Sequence, residues 1–454
     1  MQGRFWPIAV VTLCLLLLAG GIGQVAGSFA DSETSVGNSL QAWTSTLWLQ
    51  TTQADFEAGI PTQADTRSSP GDVGLAKANR IFGFQGGSAN FWAYGVPANT
   101  WASMTAPPTP PPNTVGAGGA LAYDGVQYIY AFRGANSRTF WRYDIINNTW
   151  LARATTPAGG AVGAGGALAY DGSQYVYAFR GNASTTFWRY DTSSNTWATM
   201  APAPLAVGAG GALAYDGLRY IYAFRGSNRT DFWRYDTALN SWAARATAPG
   251  RVGAGGSLAY DGSQYIYAFQ GNNRAFWRYD TIGNSWVAMT GAPARVGAGG
   301  ALAYAGSGYI YAFRGANSRA LWRYDVLGNS WTSMTVAPGG VGNGAALAFV
   351  AASTYVTSAT MASQVLDTGI AGDRWDALIW DETLPLTTDT TFEVRASDTL
   401  FAAGDLMPAW TPVGGTSPLT SGLPAGRYMQ WRATLTTSDT LVTPLLHEVR
   451  LYHH

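Results

Sequence analysis

The chain has 454 residues with 27 basic and 27 acidic side chains, and charged residues make up only 12% of it. Its 56 glycines, 19 tryptophans and 24 tyrosines suit many short strands joined by tight turns, and no charged or low-complexity tract implies long-range disorder. The single cysteine, Cys14, excludes a disulfide scaffold or a cysteine metal centre, so stability must come from packing.

Residues 1–30 read as an export signal. One positive charge lies in Met1–Arg4, residues 5–23 are almost wholly apolar, and Ser28-Phe29-Ala30 forms a small-x-small cleavage pattern. The apolar stretch is also close to bilayer length, so an uncleaved anchor is the alternative, and it would be the only membrane contact. Cys14 follows Leu13 rather than a small residue, which disfavours lipid attachment. A secreted or cell-surface protein is expected. The next stretch, GSFADSETSVGNSLQAWT (27–44), resembles the signal-proximal part of camelysin-like and biofilm-fibre proteins, over a short match that lacks part of the pattern.

From about residue 79 the chain repeats itself. VGAGG begins at Val115, Val162, Val207, Val252 and Val296, with spacings of 47, 45, 45 and 44 residues, and a degenerate copy, VGNGAALAF, begins at Val341. Each unit holds four strand-like runs: GGALAY, YIYAF, FWRYD and a run starting at the Trp of NTW or NSW. Asp-Gly pairs at 124–125, 171–172, 216–217 and 261–262 are expected to form the first hairpin turn. Alternation puts Trp141 and Tyr143 on one face, Phe140 and Arg142 on the other, so sheets must stack face to face. A four-stranded unit of this length with two apolar faces is a propeller blade.

These units resemble kelch repeats. The match is the strand ending in Gly, then Tyr-Asp, then Asn-x-Trp with Trp seven residues after Tyr, as in Tyr143 to Trp150 and Tyr324 to Trp331. The glycine doublet of the pattern is replaced by Arg-Gly or Gln-Gly except at Gly86-Gly87. Counting strand types over 79–350 predicts six blades, the first completed by strand 341–349. A seventh requires VGLAKA (73–78) as an inner strand.

PPTPPPN (107–113) reads as a stiff connector within this region. Residues 351–454 alternate in short runs such as TFEVRA, YMQWRATL and HEVRLY, which predicts a β-sandwich. The region resembles jelly-roll modules of exported bacterial proteins, some of which bind carbohydrate. Segment 31–78, above all 42–76, is expected to join this sandwich across the inserted propeller. The fold class is thus all-β.

Little in the repeats can carry catalysis. Residues 79–350 contain no His, Cys or Glu, and nine of their ten Asp residues belong to the repeat itself. The histidine ligands and Cys–Tyr crosslink of kelch-type copper oxidases have no counterparts. No enzyme and no cofactor is expected, and only a loose Ca²⁺ candidate, Asp373, Asp376, Asp381 and Glu382, lies in the C-terminal region.

Charge is more telling. Residues 79–350 carry 19 Arg and no Lys against 10 Asp, so a basic propeller is joined to an acidic remainder. Arg133, Arg180, Arg225 and Arg314, with Gln85 and Gln270, end the second strands at one rim. Arg138, Arg229, Arg274 and Arg319 lie in the adjoining loops, and Arg251 and Arg295 between blades. Arginine forks fit carboxylate, sulfate or phosphate, so these residues form the candidate ligand-binding set. Arg142, Arg189, Arg234, Arg278 and Arg323 of WRYD are expected to be structural, pairing with carboxylates or capping carbonyls. The expected partner is an acidic polysaccharide or other anionic surface polymer, met by a binding or adhesion protein. The alternative is a structural matrix protein with protein partners. Nucleic acid is disfavoured because few aromatics are available at that rim for base stacking.

Overall fold

The computed structural model describes residues 46–108 and 114–454; the candidate export signal, Cys14 and the 27–44 stretch lie outside the described residues. Six four-stranded antiparallel sheets form a six-bladed β-propeller. Blades 2 to 6 are consecutive in the chain, spanning 120–152, 167–199, 212–244, 257–288 and 301–333. Blade 1 combines Arg80–Phe84, Phe91–Gly95 and Thr100–Ser103 with the late strand Ala346–Val350, whose Ala346 faces Phe84 and Val350 faces Arg80. The six inner strands neighbour one another in a closed ring around a central channel.

Closure explains the recurring glycines. Gly118, Gly165, Gly210, Gly255, Gly299 and Gly344 all have positive φ, and a Cβ on any of them would overlap a carbonyl oxygen of the next blade. Gly118 abuts Gly163, and so on round to Gly344, which abuts Gly116. The degenerate copy at 341–345 keeps the two glycines this contact needs.

The hydrophobic core is divided among six interfaces between blades. At the first, Trp141 and Tyr143 of blade 2 pack on Phe82, Phe84 and Phe91 of blade 1, while Phe140 turns the other way, toward Trp188 and Tyr190 of blade 3. Phe140 sits edge-on to Tyr190 at 4.7 Å and to Trp197 at 4.9 Å between ring centroids. Such pairs add about 0.5–1.5 kcal/mol to the burial of the rings.

The Tyr–Asn–Trp spacing builds a latch between blades. Asn148 Oδ1 accepts from the Tyr143 hydroxyl and from the Thr105 N–H of blade 1, while Trp150 Nε1 donates to the Thr105 carbonyl. Asn195/Trp197 grip Ala154, Asn240/Trp242 Ala201, Asn284/Trp286 Ala246, Asn329/Trp331 Thr290, and Asn99/Trp101 Thr335 in the same way. These asparagines hold positive φ, which Asn tolerates better than most residues.

The Asp-Gly pairs sit in the first hairpin connection, with Gly125, Gly172, Gly217 and Gly262 at positive φ. Each opens a four-residue loop, in which Asp124 Oδ1 accepts from the N–H groups of Val126, Gln127 and Tyr128. One expectation needs correction: the WRYD arginines do not pair with carboxylates. Arg142, Arg189, Arg234, Arg278 and Arg323 stack on Tyr128, Tyr175, Tyr220, Tyr265 and Tyr309 at 3.9–4.4 Å, where alternation puts the guanidinium over a ring on the neighbouring strand.

The remaining strands form two sheets around one further core that includes Trp48, Phe56, Val73, Trp375, Phe392 and Trp431. Thr46–Gln50 and Val73–Leu75 both pair with Leu445–His453, and Ile60–Thr62 pairs with Ser358–Ala362. Segment 46–75 and the C-terminal strands thus share both sheets. VGLAKA supplies Val73–Leu75 to this unit and is not an inner blade strand. Where the chain passes between the two bodies, Lys77 bridges to Tyr355 and the Ala352 N–H donates to Asn79 Oδ1. No helix among the described residues is long and apolar enough to cross a membrane.

Candidate functional site

The rim bearing the Arg-Gly turns separates into two layers. Arg133, Arg180, Arg225 and Arg314 turn their Nε inward onto the carbonyls of Thr114, Ala161, Ala206 and Arg295, each the residue just before the Val of the VG motif. Gln270 and Gln85 place Nε2 on the equivalent carbonyls of Arg251 and Gly340. All six blades therefore fill this position with one N–H donor, and a neutral amide serves as well as a guanidinium. What the position requires is a capped carbonyl ahead of the inner strand. Arg133 is only 8% exposed, and Arg225 is further committed to Asp231 at 2.9 Å. The inner six belong to the scaffold, which corrects their place in the candidate set.

The outer layer differs. Arg138, Arg274 and Arg319 spend Nε on the carbonyls of Thr156, Ala292 and Ala337 but are exposed. Arg229, Arg251 and Arg295 are exposed too, and they make no side-chain hydrogen bond or ion pair among the described residues. Five of these six outer arginines lie on blades 4 to 6 or the loops joining them, and Arg138 stands apart on blade 2. The exposed positive charge is an arc rather than a ring. Asp231, the one carboxylate on this rim among the described residues, is bound to Arg225.

The channel below this rim is narrow. A cavity of about 140 Å³ is lined by Gly119, Gly166, Gly211, Gly256 and Gly300 with the alanines and leucines that follow them. Ligand pockets ordinarily start near 300 Å³, so a polymer at this face would lie across the arc and not enter.

The opposite mouth went unnoticed in the sequence. There a cavity of about 420 Å³ is lined by Tyr123, Tyr170, Tyr215, Tyr260, Tyr304 and Phe349, the last aromatic of each inner strand. The signal available was the recurrence of LAY or LAF in all six inner strands.

A third cavity, of about 460 Å³, lies where the two-sheet unit meets blades 1 and 6 and includes Arg67, Lys77, Tyr309, Arg323 and Asp325. Arg67 donates Nε to Glu57 at 2.8 Å and forks onto Asp325, and both its guanidinium and that of Arg323 approach the Tyr309 ring. Burial alone would raise the Asp325 carboxyl, but the Arg67 fork and the Gly328 and Leu327 N–H groups outweigh it and hold it below the ordinary range.

The Ca²⁺ candidate does not assemble. Asp373 meets His453 and Asp376 meets His454, Glu382 accepts from Trp380, and no group of three or more metal-ligating side chains is found among the described residues.

No family model matches the chain, and no curated protein matches it. Among solved structures, a chain from a nidogen/laminin complex is similar over 60% of this chain and 98% of its own, at 9% identity and a TM-score of 0.48. Similarity at this level says nothing about ligand or partner.

Proposed function

We propose that this is an exported, non-enzymatic binding protein with a kelch-like propeller, and that the outer arginines engage an acidic polysaccharide or similar anionic polymer. The observation that carries this reading is the exposed arc Arg229, Arg251, Arg274, Arg295 and Arg319, which faces solvent with its only nearby carboxylate already taken. Arginine forks spaced along an arc match anionic groups spaced along a chain, and the shallow channel beneath favours lateral docking over enclosure. Attraction of this kind is screened beyond about 8–10 Å at physiological salt.

The test is binding of the full chain to polygalacturonate and to neutral dextran at low and high salt. Salt-sensitive binding to the acidic polymer, reduced at least tenfold in an Arg229→Ala/Arg251→Ala/Arg295→Ala variant, is the expected result. Equal binding of both polymers, or no effect of the triple substitution, would remove the arc from recognition and leave protein–protein contact as the role of this face.

A further inference from the structure

The mouth opposite the arginine rim has a chemistry of its own. Each inner strand carries an aromatic residue at or next to its end, followed in blades 2 to 5 by an aspartate: Tyr123-Asp124, Tyr170-Asp171, Tyr215-Asp216 and Tyr260-Asp261. From blade 2 to blade 5 the two residue types alternate. The charged groups acting on the Tyr170 hydroxyl are Asp124 of the preceding blade and Asp171 of its own, and Tyr215 lies likewise between Asp171 and Asp216. Burial first, and these carboxylates second, push both phenols up to about 12, so the rings stay neutral at any physiological pH.

Three further observations define what could sit there. The five tyrosines and Phe349 are only partly buried, so the 420 Å³ cavity they line can be reached from solvent. The Tyr170 hydroxyl donates to the Ser173 carbonyl at 2.6 Å, which leaves it no proton to give a ligand; it offers ring surface and oxygen lone pairs. Each aspartate uses one oxygen, Oδ1, for the N–H groups of its own loop, as Asp171 does for Ser173, Gln174 and Tyr175. The guanidiniums of Arg142, Arg189, Arg234 and Arg278, on the third strand of each blade, are stacked on Tyr128, Tyr175, Tyr220 and Tyr265 of the second, and Arg219 and Arg67 are paired with Asp236 and Asp325.

The ring is also lopsided. In blade 6 Ala305 replaces the aspartate, and in blade 1 Phe349 replaces the tyrosine. One side of the mouth is therefore tyrosine flanked by four carboxylates, and the other, Tyr304 and Phe349, is followed by no carboxylate.

We propose that this mouth binds an organic cation, an ammonium or guanidinium on an apolar stem, with the charged head against the Tyr170–Tyr215–Tyr260 arc and the stem toward Phe349. Electron-rich rings attract a desolvating cation over their faces, and carboxylates just outside the rings strengthen that attraction. A lysine or arginine side chain of a partner and a free alkylamine share this chemistry. The site lies at the far end of the channel from the arginine arc and does not depend on the polyanion reading.

The test is calorimetric titration of the full chain with hexylammonium and with 1-hexanol, its neutral isostere, alongside a capped Gly-Gly-Lys-Gly-Gly peptide and its norleucine counterpart. The amine is expected to bind at least tenfold more tightly than the alcohol. Asp171→Asn/Asp216→Asn should lose at least tenfold, because Asn keeps the Oδ1 acceptor that the loop needs and removes only charge. Asp280→Asn, on the hairpin at the outer edge of blade 5, should leave binding unchanged. Tighter binding of the lysine peptide than of the amine would identify a protein chain as the source, and the reverse a small molecule; either supports the site. Equal affinity for amine and alcohol, indifference to the Asp171/Asp216 pair, or no binding of any cation at millimolar concentration would overturn it.

Discussion

Arg67, which lies outside the propeller, forks onto Asp325 inside it, with its two terminal nitrogens 3.3 and 2.8 Å from the two carboxylate oxygens. In blades 2 to 5 the matching aspartate takes its partner from its own blade: Gln127 bonds Asp144, Gln174 Asp191, Arg219 Asp236 and Gln264 Asp280. Blade 6 has Gly308 at that place, and the Arg67 guanidinium lies 3.8 Å from where a Cβ would be. The two-sheet unit is thus docked by completing a bond that one blade leaves open.

This pairing should be measurable as a coupling. A double-mutant cycle of Arg67→Ala and Asp325→Asn, read by urea unfolding, is expected to give about 1–3 kcal/mol, as for a half-buried charged hydrogen bond. The Asp325 carboxyl titrates below its ordinary value of about 3.9, so its contribution is whole above that pH and is lost as pH falls through the lowered value. The stability gap between wild type and Asp325→Asn should close in acid.

Closure of the glycine ring predicts a contrast between two glycines of one blade. Gly210→Ala adds a methyl against the Gly253 carbonyl as well as forcing a positive φ, and should lower stability by several kcal/mol or prevent folding. Gly217→Ala has the same sign of φ but nothing within 4 Å of the new carbon, so only the backbone term of about 1–2 kcal/mol applies. Thermal unfolding of the two variants separates closure from conformational strain.

The latch predicts an order of costs. Tyr235→Phe removes one donor from Asn240 Oδ1 and should cost about 0.5–1.5 kcal/mol. Asn240→Gly keeps the positive φ but strips the acceptor from both the Tyr235 hydroxyl and the Ala201 N–H. It should cost more, by about 1–3 kcal/mol, because the hydroxyl of the buried Tyr235 is left without its acceptor. Denaturation midpoints of the two variants check the order.

The inner rim predicts that charge is dispensable where the donor is not. Arg180→Gln should be close to neutral in stability, since Gln85 and Gln270 already do this work, whereas Arg180→Leu should cost about 1–2 kcal/mol for the uncapped Ala161 carbonyl. On the proposed assignment of polyanion binding to the outer arginines, neither should change it.

The sequence makes the propeller legible because each blade is written out in full. Strand types could be counted, and Phe140 and Trp141 had to face opposite ways for both to be buried. The rim was only half legible. Arg133 and Arg138 look alike as letters, and what separates them is which carbonyl lies within reach, a distance set by neighbouring strands. The one hint was that Gln stands in for Arg at 85 and 270. The blade 6 exceptions, Ala305 and Gly308, were also visible as departures from DGSQ. The reason for Gly308, the guanidinium of Arg67, lies more than two hundred residues away in the chain and could not be read from the repeat.

The crossing between the two bodies has a consequence for the order of folding. Trp431 Nε1 donates to Gln50 Oε1 across 381 residues of chain, a separation that would make their encounter slow and entropically costly in an unfolded polymer. Ala352 and Asn79, however, are joined by a hydrogen bond across 273 residues once the propeller has closed. A propeller that folds first cuts the effective loop from 381 residues to about 110 and lowers the closure cost by on the order of 1 kcal/mol. The inserted domain then acts as the clasp that brings the two halves of its host within reach of each other.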